Sequence, residues 1–170
     1  LEINGEVKPK QWFAINASTG YTFNTSYIGL IDYKVYDFTK DRKTSGWFLK
    51  SSFLFYPTGL KGKESKTSFF MGLGLALSDY NQSAIYMPQD EPERRLTRTG
   101  TILSPLASLG FTSKISNHFY LNWGVQRPFY IHRDDFIGTR RRNYQPGLGN
   151  PQSDPFVGYL QGILTLKYTW

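Results

Sequence analysis

An alternation of period two constrains this sequence more than any other feature. Bulky apolar residues recur at every second position, and small or polar residues lie between them. One segment carries Phe69, Met71, Leu73, Leu75 and Leu77 on its apolar phase. Successive side chains of a β-strand point to opposite faces, so this pattern predicts strands that have one apolar face and one polar face.

Repetition of the pattern along the chain predicts an all-β fold with eight strands. The predicted strands are residues 1–8, 12–23, 27–38, 47–55, 69–77, 103–111, 119–125 and 160–170. Most of them exceed the roughly 5–6 residues that are typical of soluble strands, and they suit a tilted crossing of a lipid bilayer. We therefore expect one domain over residues 1–170, an eight-stranded antiparallel up-and-down transmembrane β-barrel.

The predicted connections differ between the two ends of such a barrel. Residues 9–11, 39–45, 82–97 and 132–155 fall at one end, and residues 24–26, 58–66 and 113–117 fall at the other. Long loops at one rim and short turns at the other are typical of bacterial outer-membrane barrels. The pattern predicts that the long loops are extracellular and that both termini lie at the periplasmic, short-turn end.

Aromatic residues make up 17% of the chain, and many lie near the ends of the predicted strands, as interfacial girdles do. The group at the long-loop end includes Trp12, Phe13, Tyr80, Phe129 and Tyr130. A soluble β-sandwich or barrel also alternates and stays an alternative. The small polar residues of the other face favour a narrow interior, however, and no stretch approaches 18 apolar residues, which excludes membrane-spanning helices.

The last predicted strand ends on Trp170 and carries Gly162, Leu164, Leu166 and Tyr168 at alternating positions before it. It resembles the C-terminal signal that the barrel-assembly machinery reads in Gram-negative outer-membrane barrels. With its eight predicted strands, the chain resembles the small barrels of the OmpA and OmpX size class. The resemblance implies an outer-membrane location and the assembly machinery as a partner during biogenesis, and we expect a monomer.

Three further segments, residues 71–75, 85–88 and 104–111, resemble the second half of the lipid A palmitoyltransferase family, which is also eight-stranded. This resemblance implies an alternative function, a lipid A-modifying acyltransferase or deacylase with its site at the extracellular rim. That family carries a His in its first extracellular loop region, whereas the first His of this chain is His118.

His132, Ser78 and Asp79 are the candidate catalytic residues for this alternative. All three are predicted near the long-loop rim, and a serine activated by a histidine and a carboxylate supports acyl transfer. None of them lies in a nucleophile motif. The sequence therefore favours a structural or surface-interaction protein over an enzyme.

Ionisable residues on the predicted inward phase form a candidate interior charge network, because charges at membrane depth face an interior and pair there. These residues are Glu2, Glu6, Asp32, Lys34, Lys50 and Lys167. Eight strands enclose a space that side chains just fill. We therefore expect a plugged interior, and a narrow pore for small solutes is the alternative.

The chain carries 20 Lys and Arg against 13 Asp and Glu, a net charge of +7. Arginine suits the phosphates of lipopolysaccharide. Candidates for this contact at the predicted long-loop end are Arg94, Arg95, Arg140, Arg141 and Arg142. The charge is divided between both rims, which argues against nucleic-acid binding. We expect no metal and no cofactor, because the chain has no Cys and its loop carboxylates lack calcium-site spacing.

Overall fold

Seven β-strands form in the residues that the computed structural model describes, which are 2–25, 39–61, 65–87, 92–130, 144–149 and 160–168. The strands are β1 (Glu2–Lys10), β2 (Phe13–Thr25), β3 (Thr39–Phe55), β4 (Thr67–Tyr86), β5 (Arg94–Lys114), β6 (Phe119–Pro128) and β7 (Gln161–Tyr168). A 3-10 helix, Pro57–Lys61, follows β3. None of the helices in these ranges is long and apolar enough to span a membrane.

All seven strands belong to one antiparallel sheet, and their order in the sheet is their order in the sequence. The sheet curls as a half-barrel, and residues from every strand line a common interior cavity. The prediction of an all-β, antiparallel fold is confirmed.

The alternation decides which face of the sheet each side chain takes. In the central parts of β1 to β6 the even-numbered residues face the concave interior, and in β7 the odd-numbered residues do. The bulky apolar phase lies on the convex face, where Leu164 is 76% exposed, Phe23 69% and Leu73 67%. The polar phase thus points inward and the apolar phase outward, as the pattern predicts.

The strand directions define two ends of the sheet. The turn at residues 11–12 and the strand ends that lead into residues 56–66 and 115–118 lie at one end, which we name the short-turn end. The strand ends that lead into residues 26–38, 87–93 and 129–160 lie at the other, which we name the long-loop end.

The strand predicted at residues 27–38 lies outside the described residues. β2 pairs directly with β3, with Phe13 opposite Phe55 and Tyr21 opposite Trp47, so no strand separates the two along this pairing. The predicted extra strand between β2 and β3 would reverse the direction of β1 and β2. Without it along this pairing, each end of β1 and of β2 lies at the rim opposite to the predicted one.

This exchange moves residues from one end to the other. The turn after β1 and the neighbouring Trp12 and Phe13 lie at the short-turn end, whereas the prediction put them at the long-loop end. Phe23 lies toward the long-loop end. β1 and β7 run in the same direction, so Glu2 and Tyr168 lie toward opposite ends, and the prediction that both termini share one end does not hold for these residues.

Two predicted loops are largely strand. β3 begins at Thr39 and includes residues 39–45, and the pairing of β4 with β5 continues to Tyr86 opposite Arg94, within the predicted loop 82–97. These extensions lack the bulky apolar phase, so the period that identifies the other strands is missing from them.

Buried apolar side chains form two groups in the interior, which we name the apolar layers. Ala14, Leu54, Tyr56 and Phe70 form the layer nearer the short-turn end. Ala76, Tyr80, Ile102, Leu106 and Leu148 form the layer nearer the long-loop end. Polar residues occupy the space between the two layers.

Candidate functional site

A polar chamber of about 180 Å³ lies between the two apolar layers. Its lining includes Asn16, Ser18, Ser52, Ser108, Asn122 and Gln126. The only charged groups on the chamber wall within the described residues are Glu2 and Lys50. Amides and hydroxyls hydrogen-bond water and polar solutes, so the chamber is suited to polar rather than apolar contents.

The tighter of two interior ion pairs that the structure places among its described residues joins β1 to β7. Lys167 Nζ lies 2.7 Å from Glu6 Oε1, and the two side chains are 7% and 5% exposed. Lys167 Nζ also lies 5.6 Å from the centre of the Tyr120 ring. Burial removes both charges from water, so each charge is compensated by the other.

Tyr56 completes this cluster from the segment that follows β3 at the short-turn end. Its hydroxyl donates to Glu6, with the oxygen 3.3 Å from Glu6 Oε2. Burial and the neighbouring Glu6 carboxylate both raise the pKa of Tyr56 above its ordinary value. The neutral hydroxyl therefore persists and remains a donor to the carboxylate.

A second, looser ion pair lies beside the chamber. Lys50 Nζ is 3.7 Å from Glu2 Oε1, with side-chain exposures of 12% and 39%. The structure thus places four residues of the predicted interior network in two pairs, Glu2 with Lys50 and Glu6 with Lys167. Asp32 and Lys34 lie outside the described residues.

A short turn occupies the interior at the long-loop end, and we name its residues, 144–149, the plug. The Gln145 N–H donates to the Gly149 carbonyl at 2.7 Å, and the Leu148 N–H donates to the Gln145 carbonyl at 3.0 Å. Gln145 and Leu148 are fully buried. Leu148 joins the apolar layer formed by β4 and β5, so the plug is part of the interior core.

Two glutamine side chains of the wall hold the plug. Gln82 Nε2 donates to the Tyr144 carbonyl at 2.8 Å, and Gln126 Nε2 donates to the Gly147 carbonyl at 3.1 Å. Gly147 has a φ of 73°, a conformation that glycine adopts without strain. A Cβ at this position would lie 2.5 Å from the ring of Phe48, so the close approach to β3 also requires glycine.

The sequence predicts only a loop over residues 132–155 and does not indicate a plug at residues 144–149. Pro146 followed by Gly147 is a turn signal that the sequence does carry. Burial of the turn depends on Gln82 and Gln126, which are distant in sequence, and no local pattern indicates it.

Ser78 and Asp79, two of the candidate catalytic residues, do not form one site. Ser78 is fully buried in the interior, whereas Asp79 lies on the convex face and accepts a hydrogen bond from Thr101 Oγ1 at 2.7 Å. Neighbouring strand residues point to opposite faces, so the structure does not bring these two candidate residues together. His132 lies outside the described residues.

The candidate lipopolysaccharide contacts are placed only in part. Arg94 and Arg95 begin β5 at the long-loop end and are exposed, and the Arg94 guanidinium lies 5.3 Å from the centre of the Tyr86 ring. Arg140, Arg141 and Arg142 lie outside the described residues. Within the part of the chain that the structure describes, no group of three or more His, Asp or Glu could hold a metal ion.

Comparison with known proteins gives no relative for this chain. No protein-family model, curated protein or solved structure matches it. Its geometry therefore carries the functional argument.

The arrangement of the interior limits what it can do. The layer around Tyr56 lies on the short-turn side of the chamber, and the layer that contains Leu148 lies on its long-loop side. Such an interior can hold a few polar groups and can stabilise the curled sheet.

Proposed function

We propose that this chain is an integral β-barrel of a Gram-negative outer membrane, with a plugged interior and a structural or surface-interaction role. In this proposal the long-loop end faces the cell exterior, where Arg94 and Arg95 contact lipopolysaccharide phosphates or an external partner. The short-turn end faces the periplasm, and the barrel-assembly machinery reads the last strand, up to Trp170, during biogenesis.

The observation that carries the proposal is the polarity of the two faces of the sheet. Soluble antiparallel sheets pack their apolar face on a core and leave the polar face to water. In this chain the concave face buries serines, amides and the pair of Glu6 with Lys167. The convex face exposes leucine, phenylalanine and tryptophan side chains on successive strands. A lipid exterior accommodates the exposed apolar face, whereas water does not.

The height of the apolar surface supports the same reading. On the convex face the apolar residues of β4 extend from Phe69 to Leu77, and those of β5 from Leu103 to Phe111. Each run covers nine positions of its strand. A tilted transmembrane strand needs about 9–11 residues. The polar pair of Asp79 with Thr101 bounds the surface toward the long-loop end.

The plug separates this proposal from the narrow-pore alternative. A conducting barrel needs a continuous polar path, whereas the plug lies in the interior at the long-loop end, where Leu148 packs against apolar residues of β4 and β5. The enzyme alternative has no support from the described residues, since Ser78 and Asp79 face opposite sides of β4.

Tryptophan quenching tests the lipid-facing surface. Trp47 and Trp123 lie on the convex face and are 41% and 45% exposed. Two variants each keep one of these tryptophans and carry phenylalanine at the other three tryptophan positions. We expect both to be quenched by brominated acyl chains in reconstituted vesicles and to be shielded from an aqueous quencher.

The matched control is a variant that keeps only Trp12, which lies beside the short-turn end and should be quenched less by bromine placed deep in the acyl chain. Faster migration of the unboiled protein than of the boiled protein on a gel is the companion readout for a folded barrel. A chain that stays in solution without detergent, with Trp47 and Trp123 open to the aqueous quencher, would contradict the proposal.

A further inference from the structure

The polar chamber contains an ammonium group whose nearest carboxylate is distant. Lys50 Nζ lies 3.7 Å from Glu2 Oε1, which is beyond hydrogen-bond distance, and 4.6 Å from the centre of the Phe48 ring. The Lys50 side chain is 12% exposed, whereas the Glu2 side chain is 39% exposed and stays partly in solvent. The Lys50 ammonium therefore has donors left for a closer acceptor.

The pair of Glu6 with Lys167 shows how the same interior compensates a buried cation. Its charged atoms are 2.7 Å apart, and its side chains are 5% and 7% exposed. A buried charge requires a close, hydrogen-bonded partner of this kind. Lys50 meets the requirement only in part, because Glu2 is the one acidic group on the chamber wall within the described residues. An anion inside the chamber would complete its compensation.

The chamber has room for such an ion and hydroxyl groups to bind it. Its volume is about 180 Å³, whereas one water molecule needs roughly 10–15 Å³ of such space. β4 leaves this room free, because its inward positions opposite Leu54 and Ser52 are Gly72 and Gly74. Ser18, the cross-strand partner of Lys50, and Ser52 both line the chamber, and their hydroxyls are able to donate to an anion.

A buried amide on the chamber wall indicates that the chamber holds more than its own side chains. Asn122 is 5% exposed, and its Oδ1 has no hydrogen-bond partner among the described residues. A water molecule supplies the donor that an amide oxygen needs. A neutral molecule does not supply the negative charge that a buried ammonium needs. The two groups together favour contents that include both water and an anion.

We propose that the polar chamber is a binding site for a small anion, such as a short carboxylate, which contacts the Lys50 ammonium and competes with Glu2 for it. The hydroxyls of Ser18 and Ser52 donate to the bound anion. Glu2 turns farther toward solvent when the anion binds, because its side chain is already partly exposed. This inference goes beyond the proposed function and does not depend on what surrounds the convex face.

Acetate and acetamide test the proposal, because they have nearly the same shape and differ in charge. Each is titrated into the ¹⁵N-labelled full chain in nonionic micelles, in a chloride-free buffer, and backbone amide shifts are followed by NMR. We expect acetate to cause saturable shifts at Ser18, Lys50 and Ser52, and acetamide to bind much more weakly. K50M should lower the affinity for acetate at least about tenfold, because it removes a charge-assisted hydrogen bond. E2Q should raise that affinity, because it removes the competing carboxylate.

The matched control is K43M, which removes an exposed lysine of the same strand that does not line the chamber and should bind acetate as the wild type does. E2Q/K50M leaves no orphaned charge in the chamber, so it keeps the test valid if K50M fails to fold, and it should not bind acetate. Equal affinities of the wild type for acetate and acetamide would overturn the inference. Acetate binding that survives in folded E2Q/K50M, or that is lost in E2Q alone, would do the same. None of these results bears on the proposed barrel, which the tryptophan quenching tests separately.

Discussion

Removal of one partner from the pair of Glu6 with Lys167 should strongly destabilise the fold. Lys167→Met keeps most of the side-chain stem and removes the ammonium that lies 2.7 Å from Glu6 Oε1. The remaining carboxylate is 5% exposed and keeps only the more distant hydroxyl of Tyr56, at 3.3 Å. Breaking a buried pair in this way costs about 3–5 kcal/mol, because an uncompensated charge stays behind.

A double variant separates the cost of an orphaned charge from the value of the pair. Glu6→Gln with Lys167→Met removes both charges, and replacing a buried ion pair by uncharged side chains is often neutral or stabilising. We therefore expect the double variant to recover most of the stability that Lys167→Met loses. Urea unfolding in detergent micelles, followed by tryptophan fluorescence, measures all three proteins.

Glu2→Gln is the matched control. Its pair with Lys50 is longer, at 3.7 Å, and the Glu2 side chain is 39% exposed. The attraction across this longer, partly exposed pair is weaker, so Glu2→Gln should lower the free energy of unfolding clearly less than Lys167→Met does. The reasoning is refuted if Lys167→Met costs no more than Glu2→Gln, or if the double variant is no more stable than Lys167→Met.

Three further changes address the convex face, the plug and the Tyr56 hydroxyl. Leu73→Arg on the apolar surface should cost about 2–4 kcal/mol in bilayers, and Asn81→Arg on the same face of β4, beyond that surface, about 0–1 kcal/mol; equal costs in a reversible vesicle-folding assay would argue against lipid contact at Leu73. Leu148→Ala should cost about 2–5 kcal/mol in urea unfolding, because it empties a fully buried position; a cost under about 1 kcal/mol would mean that the plug is not seated in solution. Because the pKa of Tyr56 is raised by folding, its hydroxyl keeps its proton in the folded state above about pH 10, where the unfolded state loses it. The stability that the neutral hydroxyl contributes is therefore complete below that pH and is lost as the pH rises further. Tyr56→Phe should therefore weaken the alkaline loss of stability in urea midpoints taken across that range, and identical slopes for the two proteins would contradict the role of the hydroxyl.

The sequence predicts the faces of the strands well, because every strand that carries the alternation reports its own two faces. Leu164 and Lys167 lie on opposite phases of the last strand, and the structure exposes the first and buries the second. The inward phase of Glu6 is equally readable. Its pairing with Lys167 is not, because these residues are separated by 161 positions and meet only when β1 and β7 approach each other.

The direction in which a strand runs is harder to predict than which of its residues face inward, because direction depends on a correct count of the strands between it and a reference strand. Counting a strand at residues 27–38 reverses the predicted direction of the two strands before it. The sequence therefore places Lys8 and Lys10 at the long-loop end, whereas the structure has them at the short-turn end. The pairing of Phe13 with Phe55 corrects the direction without altering a single face. The distribution of charge between the two rims therefore had to come from the structure.

Lipid imposes a requirement on the two edges of this sheet, since every backbone N–H and C=O within the hydrocarbon needs a partner. Among the described residues β1 is bonded only to β2 and β7 only to β6, and the two edge strands run in the same direction. Their edges can be satisfied by direct parallel pairing or by one further strand antiparallel to both. Neighbouring strands lie about 4.8 Å apart, so an intervening strand would hold the edges about 10 Å apart. Cα atoms of β1 and β7 come within 8 Å of each other, and Lys167 reaches Glu6 across the gap. These contacts favour closure of the proposed barrel by direct, parallel pairing of β1 with β7 where the two strands meet.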